Sequence, residues 1–137
     1  MLSLLEKIEA DAAERLTLPE GTPPTHELPR FKAFLKLETH RLKMLHGAGE
    51  SGRMVCQVRA AVIDILLRYL WEGSRKTLSV QARKEFPPLC LVALGGYGRG
   101  ELNPHSDLDI MFLHSNQVVA GGTPLPCLSK LMNGLLY

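Results

Sequence analysis

The sequence predicts an α+β fold: a helical N-terminal region over residues 1–86, then the start of a small mixed sheet within residues 87–137. Three observations predict it. Apolar residues recur at three- and four-residue spacing as far as Trp71, the period of a helix face. Pro87 and Pro88 then interrupt the chain. Beyond them the period shortens, with a compact apolar run at Leu89–Leu94 and an alternating stretch at Asp107–His114.

The first helix is predicted over 3–16, where Leu5, Ile8, Ala12 and Leu16 share a face and Ser3 with Glu6 fits a capping box. Residues 17–29, TLPEGTPPTHELP, hold four prolines and a glycine and are expected to form a loop. A second helix follows from Pro29 to His46, with Phe31, Phe34, Leu35, Leu42 and Leu45 on one side and Gly47 as its stop. The third helix, Gly52–Trp71, carries the broadest stripe, Val55, Val58, Val62, Ile65, Leu66 and Tyr69, and Gly73 is expected to end it. A short helix is predicted over 79–86. Leu89–Leu94 is expected to be a buried strand. Asp107–His114 is expected to be its neighbour, with the carboxylates on one face and Leu108, Ile110 and Phe112 on the other. Residues 116–126 are expected to be loop, and 125–137 the start of another helix.

Composition excludes several classes of function. The formal net charge is +2, so no strong basic field points to nucleic acid, and none is expected as a partner. No apolar run approaches the roughly 20 residues that span a bilayer. Glu6, Lys7 and Glu9 stand where a signal peptide needs an apolar core. The three cysteines, Cys56, Cys90 and Cys127, are widely spaced and form no C-x-x-C pair. They are expected to be small buried hydrophobes in a reducing, cytoplasmic setting.

The chemistry lies in Gly95–Ile110, GGYGRGELNPHSDLDI. Glycines at a strand end let the backbone approach a triphosphate closely, with N–H groups directed at its oxygens. A short helical turn after them adds a partly positive end. Asp107 and Asp109, two apart on a strand, face the same way and can reach one metal cluster. Such hard oxygen ligands suit Mg²⁺, and two ions about 3.5–4 Å apart can clamp the attacking and leaving oxygens of an in-line displacement. Rival motifs fail on spacing. A dinucleotide-binding glycine motif needs glycine where Glu101 stands, and no Gly-Lys-Ser/Thr triplet completes a P-loop. A calcium loop from Asp107 needs glycine and glutamate where Phe112 and Val118 stand.

With these residues in place, Leu91–Leu113 resembles the start of a polymerase-β-type nucleotidyltransferase domain. Within that superfamily, GGYGRGEL-x-P-x-SDLDI is similar to the signature of the protein-PII uridylyltransferases, and the helices before it look like that family's N-terminal region. The resemblance implies that Gly95 and Gly96 contact the triphosphate and that Asp107 and Asp109 bind catalytic Mg²⁺. It implies UTP, or another nucleoside triphosphate, as donor and a tyrosine of the PII signalling protein as acceptor. Members of the superfamily resemble one another in a third carboxylate from a later strand, and here no Asp or Glu follows Asp109. The chain is therefore expected to be an N-terminal piece with an incomplete nucleotidyltransferase domain over 87–137, inactive alone.

Neighbouring residues carry weaker readings. Arg99 is a candidate phosphate ligand or an ion-pair partner of Glu101. Ser106 is a candidate phosphate donor or a cap on the turn before the strand. Glu101 is expected to be structural. His105 is expected to be solvated, as are His26, His40, His46 and His114, which lack metal-ligand spacing. The basic residues of the third helix and its sequel, from Arg53 to Lys84, suit either a solvated face or a docking face for an acceptor protein. Two alternative functions stand beside uridylyl transfer: the adenylyltransferase that modifies glutamine synthetase, and a non-catalytic nucleotide-binding or regulatory fragment.

Overall fold

The computed structural model describes residues 2–77, 79–84 and 88–115. In chain order these form α1 (Leu2–Leu16), a 3₁₀ turn (Pro24–His26), α2 (Leu28–Gly47), α3 (Gly52–Lys76) and α4 (Val80–Lys84), followed by β1 (Leu89–Ala93), α5 (Gly95–Gly98) and β2 (Ile110–His114). The fold class is the predicted α+β. The loop and helix expected after residue 115 lie outside the described residues, as does Cys127.

α1, α2 and α3 pack against one another. Ile8, Ala12 and Leu16 of α1, Phe31, Phe34 and Leu42 of α2, and Val55, Val58, Val62 and Ile65 of α3 are all buried, on the stripes the periodicity marks. α3 opens on Ser51, whose hydroxyl oxygen accepts from the Met54 N–H at 3.2 Å, an N-cap that satisfies one of the orphan donors of the first turn.

Two helix stops differ from expectation. α2 runs through Gly47, and Gly49 takes the left-handed conformation beyond it, at φ 106°. The Glu50 N–H reaches back to the Leu45 carbonyl at 3.1 Å. α3 passes through Gly73 to Lys76. A Cβ at Gly73 would lie 2.8 Å from Cγ of Pro24, which is fully buried. Gly73 therefore admits the 3₁₀ turn against the helix rather than ending it, and residues 17–29 are more ordered than a bare loop.

One acid lies inside the bundle. Glu38 shares the face of Phe31, Phe34 and Leu42 and is 0% exposed, with neither carboxylate oxygen hydrogen-bonded. Arg41 Nε lies 3.3 Å from it, and Arg41 Nη2 donates to Asp11 on α1 at 2.5 Å. Burial holds the Glu38 carboxyl above its ordinary range; Arg41 opposes this, Asp11 adds to it and Arg15 opposes it more weakly.

β1 and β2 are antiparallel, with Leu91 opposite Phe112 and Ala93 opposite Ile110. Leu91 and Ile110 pack onto the helical core. The expected buried strand is only half-buried: Cys90 and Ala93 are exposed, as are Met111 and Leu113 across the ladder. A continuous apolar run implies burial on both faces, yet among the described residues only one face meets the helices. The cysteine expectation fails in the same way, Cys90 being exposed and Cys56 partly so.

Candidate active site

β2 begins at Ile110, not at the expected Asp107. Gly95 sits at φ 58° and turns the chain away from the ladder just after β1, so the residues before Asp109 have no strand to pair with. The last rung is the Leu94 N–H bonded to the Asp109 carbonyl at 2.9 Å. That rung brings Asp109 against the glycine turn. A Cβ at Gly95 would lie 3.1 Å from Asp109 Oδ2, a tight contact, and the left-handed φ itself favours glycine there. At the far end of α5, a Cβ on Gly98 would stand 2.7 Å from the Ala93 carbonyl oxygen. The turn lies between strand end and carboxylate, with no room for a side chain at Gly98 and a close approach to Asp109 at Gly95. Its first N–H groups, from Gly95 and Gly96, have no partner within so short a helix.

Asp107 and Asp109 are both exposed, and neither carboxylate has an ion-pair or hydrogen-bond partner among the described residues. Asp109, an uncommitted hard oxygen donor beside a cradle that a Cβ would fill, suits a magnesium ion next to a phosphate, with Asp107 exposed two residues before it. Among the described residues no three His, Cys, Asp or Glu side chains converge on one point.

Arg99 is exposed and unpaired among the described residues, with one guanidinium nitrogen 3.9 Å from the Cβ position of Gly96. Glu101 pairs instead with Arg53, loosely, at 3.9 Å on the surface. The Ser106 hydroxyl donates to the Asn103 carbonyl at 2.8 Å, and Asn103 Oδ1 accepts from the His105 N–H at 3.0 Å. Asn103–Ser106 is thus a side-chain-braced turn with Pro104 at its second position, and Ser106 serves that turn here. His105 is exposed.

Sequence reasoning missed Tyr97 and Leu102. Tyr97 is 6% exposed, and its hydroxyl donates to Asp64 Oδ1 on α3. Leu102 is 1% exposed, and its N–H donates to the Cys56 carbonyl at 3.1 Å. Both belong to the same core as the three helices. The signal was available: a large aromatic among four glycines has no reason to be there unless its ring is buried.

The fold and this turn are compatible with a nucleotidyltransferase domain, and comparison with known proteins gives that class. Residues 12–123 match the family described as Glutamate-ammonia ligase adenylyltransferase, and the chain belongs to that nucleotidyltransferase family. Among curated proteins it is similar to the Bifunctional uridylyltransferase/uridylyl-removing enzyme of Pseudomonas fluorescens, 37% identical over 110 residues, 70% of this chain and 11% of that protein. The enzyme of the same name from Photobacterium profundum is 47% identical over 55 residues, 40% of this chain and 6% of its own length. That from a strain of Pseudomonas putida is 34% identical over 87 residues, 61% of this chain and 8% of the relative. The chain thus spans about a tenth or less of these relatives. No solved structure matches. Among the described residues no helix is long and apolar enough to cross a membrane.

Proposed function

We propose that this chain supplies the nucleotide turn and two metal-binding carboxylates of a cytoplasmic uridylyltransferase. The enzyme moves UMP from UTP to a tyrosine of the PII nitrogen-signalling protein. The observation that carries the reading is the meeting of Gly95 and Asp109: a left-handed glycine with an uncommitted carboxylate 3.1 Å from where its Cβ would be. The backbone N–H groups of Gly95 and Gly96 bind phosphate oxygens, and Arg99 steadies them by paired hydrogen bonds. Asp107 and Asp109 would hold Mg²⁺, which would offset the charge of the triphosphate and its leaving group. The tyrosine hydroxyl gives up its proton to solvent as its oxygen attacks the α-phosphorus, the α–β bridging P–O bond breaks and pyrophosphate departs; the chain's own part is to orient the phosphates for that in-line approach.

The test uses a full-length enzyme carrying this segment. Asp107→Asn and Asp109→Asn are each expected to lower uridylyl transfer by at least about a hundredfold with the fold intact. Near-normal labelling of PII by either variant overturns the assignment.

The family match over residues 12–123 favours one second reading, transfer of AMP from ATP to glutamate–ammonia ligase. Labelled UTP and labelled ATP, offered in parallel with both acceptor proteins, separate the two.

A further inference from the structure

We propose that α3 is the positioning element of the nucleotide turn, and that Tyr97 and Asp64 form the clamp that transmits its position to Gly95 and Asp109. The inference rests on the reading of that turn as a phosphate site.

α3 has two working sides. Val55, Val58, Val62, Ile65 and Tyr69 recur at three- and four-residue spacing and form the stripe toward the bundle. Cys56, Ala60, Asp64, Leu67 and Trp71 recur in the same way, and at about 100° per residue they fall on the opposite side. That second side carries the catalytic segment. The Cys56 carbonyl holds Leu102, Asp64 holds Tyr97, and Leu67 and Trp71 line a cleft of about 370 Å³ against Leu91 and Ile110 of the sheet.

The two attachments bracket the turn. Tyr97 is the sole residue of α5 with a side chain, and it is committed to α3 rather than to solvent. Leu102 fixes the chain a few residues later. Between the strand end and these anchors the turn has no slack, since Gly98 abuts the Ala93 carbonyl and Gly95 abuts Asp109. Any shift of α3 along its axis is therefore passed to the phosphate-facing N–H groups and the carboxylate. Burial, and then the bond to Asp64, push the Tyr97 phenol well above its usual range. It remains a neutral donor through neutral pH, and Arg68, the other charged group facing it, opposes the shift only weakly. Tyr97 is a positioning residue, since it touches no reacting atom.

The test compares the protein with Tyr97→Phe, Asp64→Ala and Asp64→Asn. Two measurements are made: amide hydrogen exchange at residues 95–102, and titration with Mg²⁺·UTP. Tyr97→Phe and Asp64→Ala are expected to speed exchange in that segment while leaving α1 and α2 unchanged. They are expected to weaken Mg²⁺·UTP binding by about fivefold to tenfold, less than the full loss of one hydrogen bond to a charged group because the pair acts on the ligand only through the turn. Asp64→Asn keeps an acceptor oxygen and is expected to restore both. Unchanged exchange in Tyr97→Phe and Asp64→Ala overturns the clamp, and acceleration spread evenly over α1 to α3 reduces it to general stability. A full-length wild-type enzyme carrying this segment that binds no Mg²⁺·UTP sinks the functional reading, while the exchange comparison still decides whether the pair holds the turn.

Discussion

Glu38 and Gly95 show what a single position controls. An ionised carboxyl with no hydrogen bond, buried in a bundle, is held there mainly by Arg41, with Arg15 adding less, and its raised pKa means the fold prefers the protonated form. For an acid whose folded pKa is raised, the contribution to stability is full below the unfolded value of 4.5 and is lost as pH rises through the folded value. Glu38→Gln is therefore expected to stabilise at pH 7 by about 1 kcal/mol, since Arg41 keeps Asp11 as partner. The gain should vanish as pH falls toward 4 and wild-type Glu38 protonates. Thermal unfolding of both proteins across that range checks it, and a gain that grows in acid contradicts it. Gly95→Ala meets two obstacles, a φ of 58° and Asp109 Oδ2 at 3.1 Å. The left-handed backbone alone costs about 1–2 kcal/mol. The displaced carboxylate is expected to weaken Mg²⁺·nucleotide binding beyond what the melting temperature accounts for. Equal affinity in the variant would remove Gly95 from the site.

At the scale of elements, α3 organises the molecule, and its ends are testable apart from its middle. Ser51→Ala removes the N-cap bond to Met54 and is expected to cost about 1 kcal/mol, read by denaturant midpoint with unchanged slope. Gly73→Ala tests the other end. Helix propensity alone favours alanine there by about 1 kcal/mol. The buried Pro24 ring, 2.8 Å from the new Cβ, has no free path of retreat, so net destabilisation is expected. A stabilised variant would mean that the 3₁₀ turn yields and that residues 17–29 behave as the plain loop their prolines suggest.

At the scale of the whole molecule, the site and the helices share one core through Tyr97 and Leu102. No Asp or Glu follows Asp109. The acids of the helices do not join Asp107 and Asp109 in a cluster of three among the described residues. A triphosphate brings about three to four negative charges that must be neutralised and positioned. The 137-residue chain, incubated with Mg²⁺, labelled UTP and PII, is therefore expected to bind nucleotide weakly and not to turn over. Steady multiple-turnover labelling would show that its own residues complete the site.

Much of this was legible in sequence because local rules decided it. The three long helices follow from their stripes of apolar residues but not from the end signals read for them, since α1 already begins at Leu2 ahead of Ser3 and α2 and α3 run through Gly47 and Gly73. The strand pair follows from a change of period bounded by prolines and glycines. Asp107, Asp109, Gly95 and Gly96 stood out as candidates because their types and order suit phosphate and metal. Tertiary structure decided the rest. Gly73 looked like a stop and is a point of close approach to Pro24, and Leu89–Leu94 looked buried on both faces and is covered on one. Asp107 was expected within a strand and precedes it, because Gly95 carries the partner backbone away. Glu38 lay on an apolar stripe in plain view with Arg41 three residues on, yet only the packing of α1 on α2 buried it and brought Asp11 to the same guanidinium. The second side of α3 was hidden for the same reason: what Asp64 and Cys56 hold depends on where residues far along the chain return, and sequence spacing carries no record of that distance.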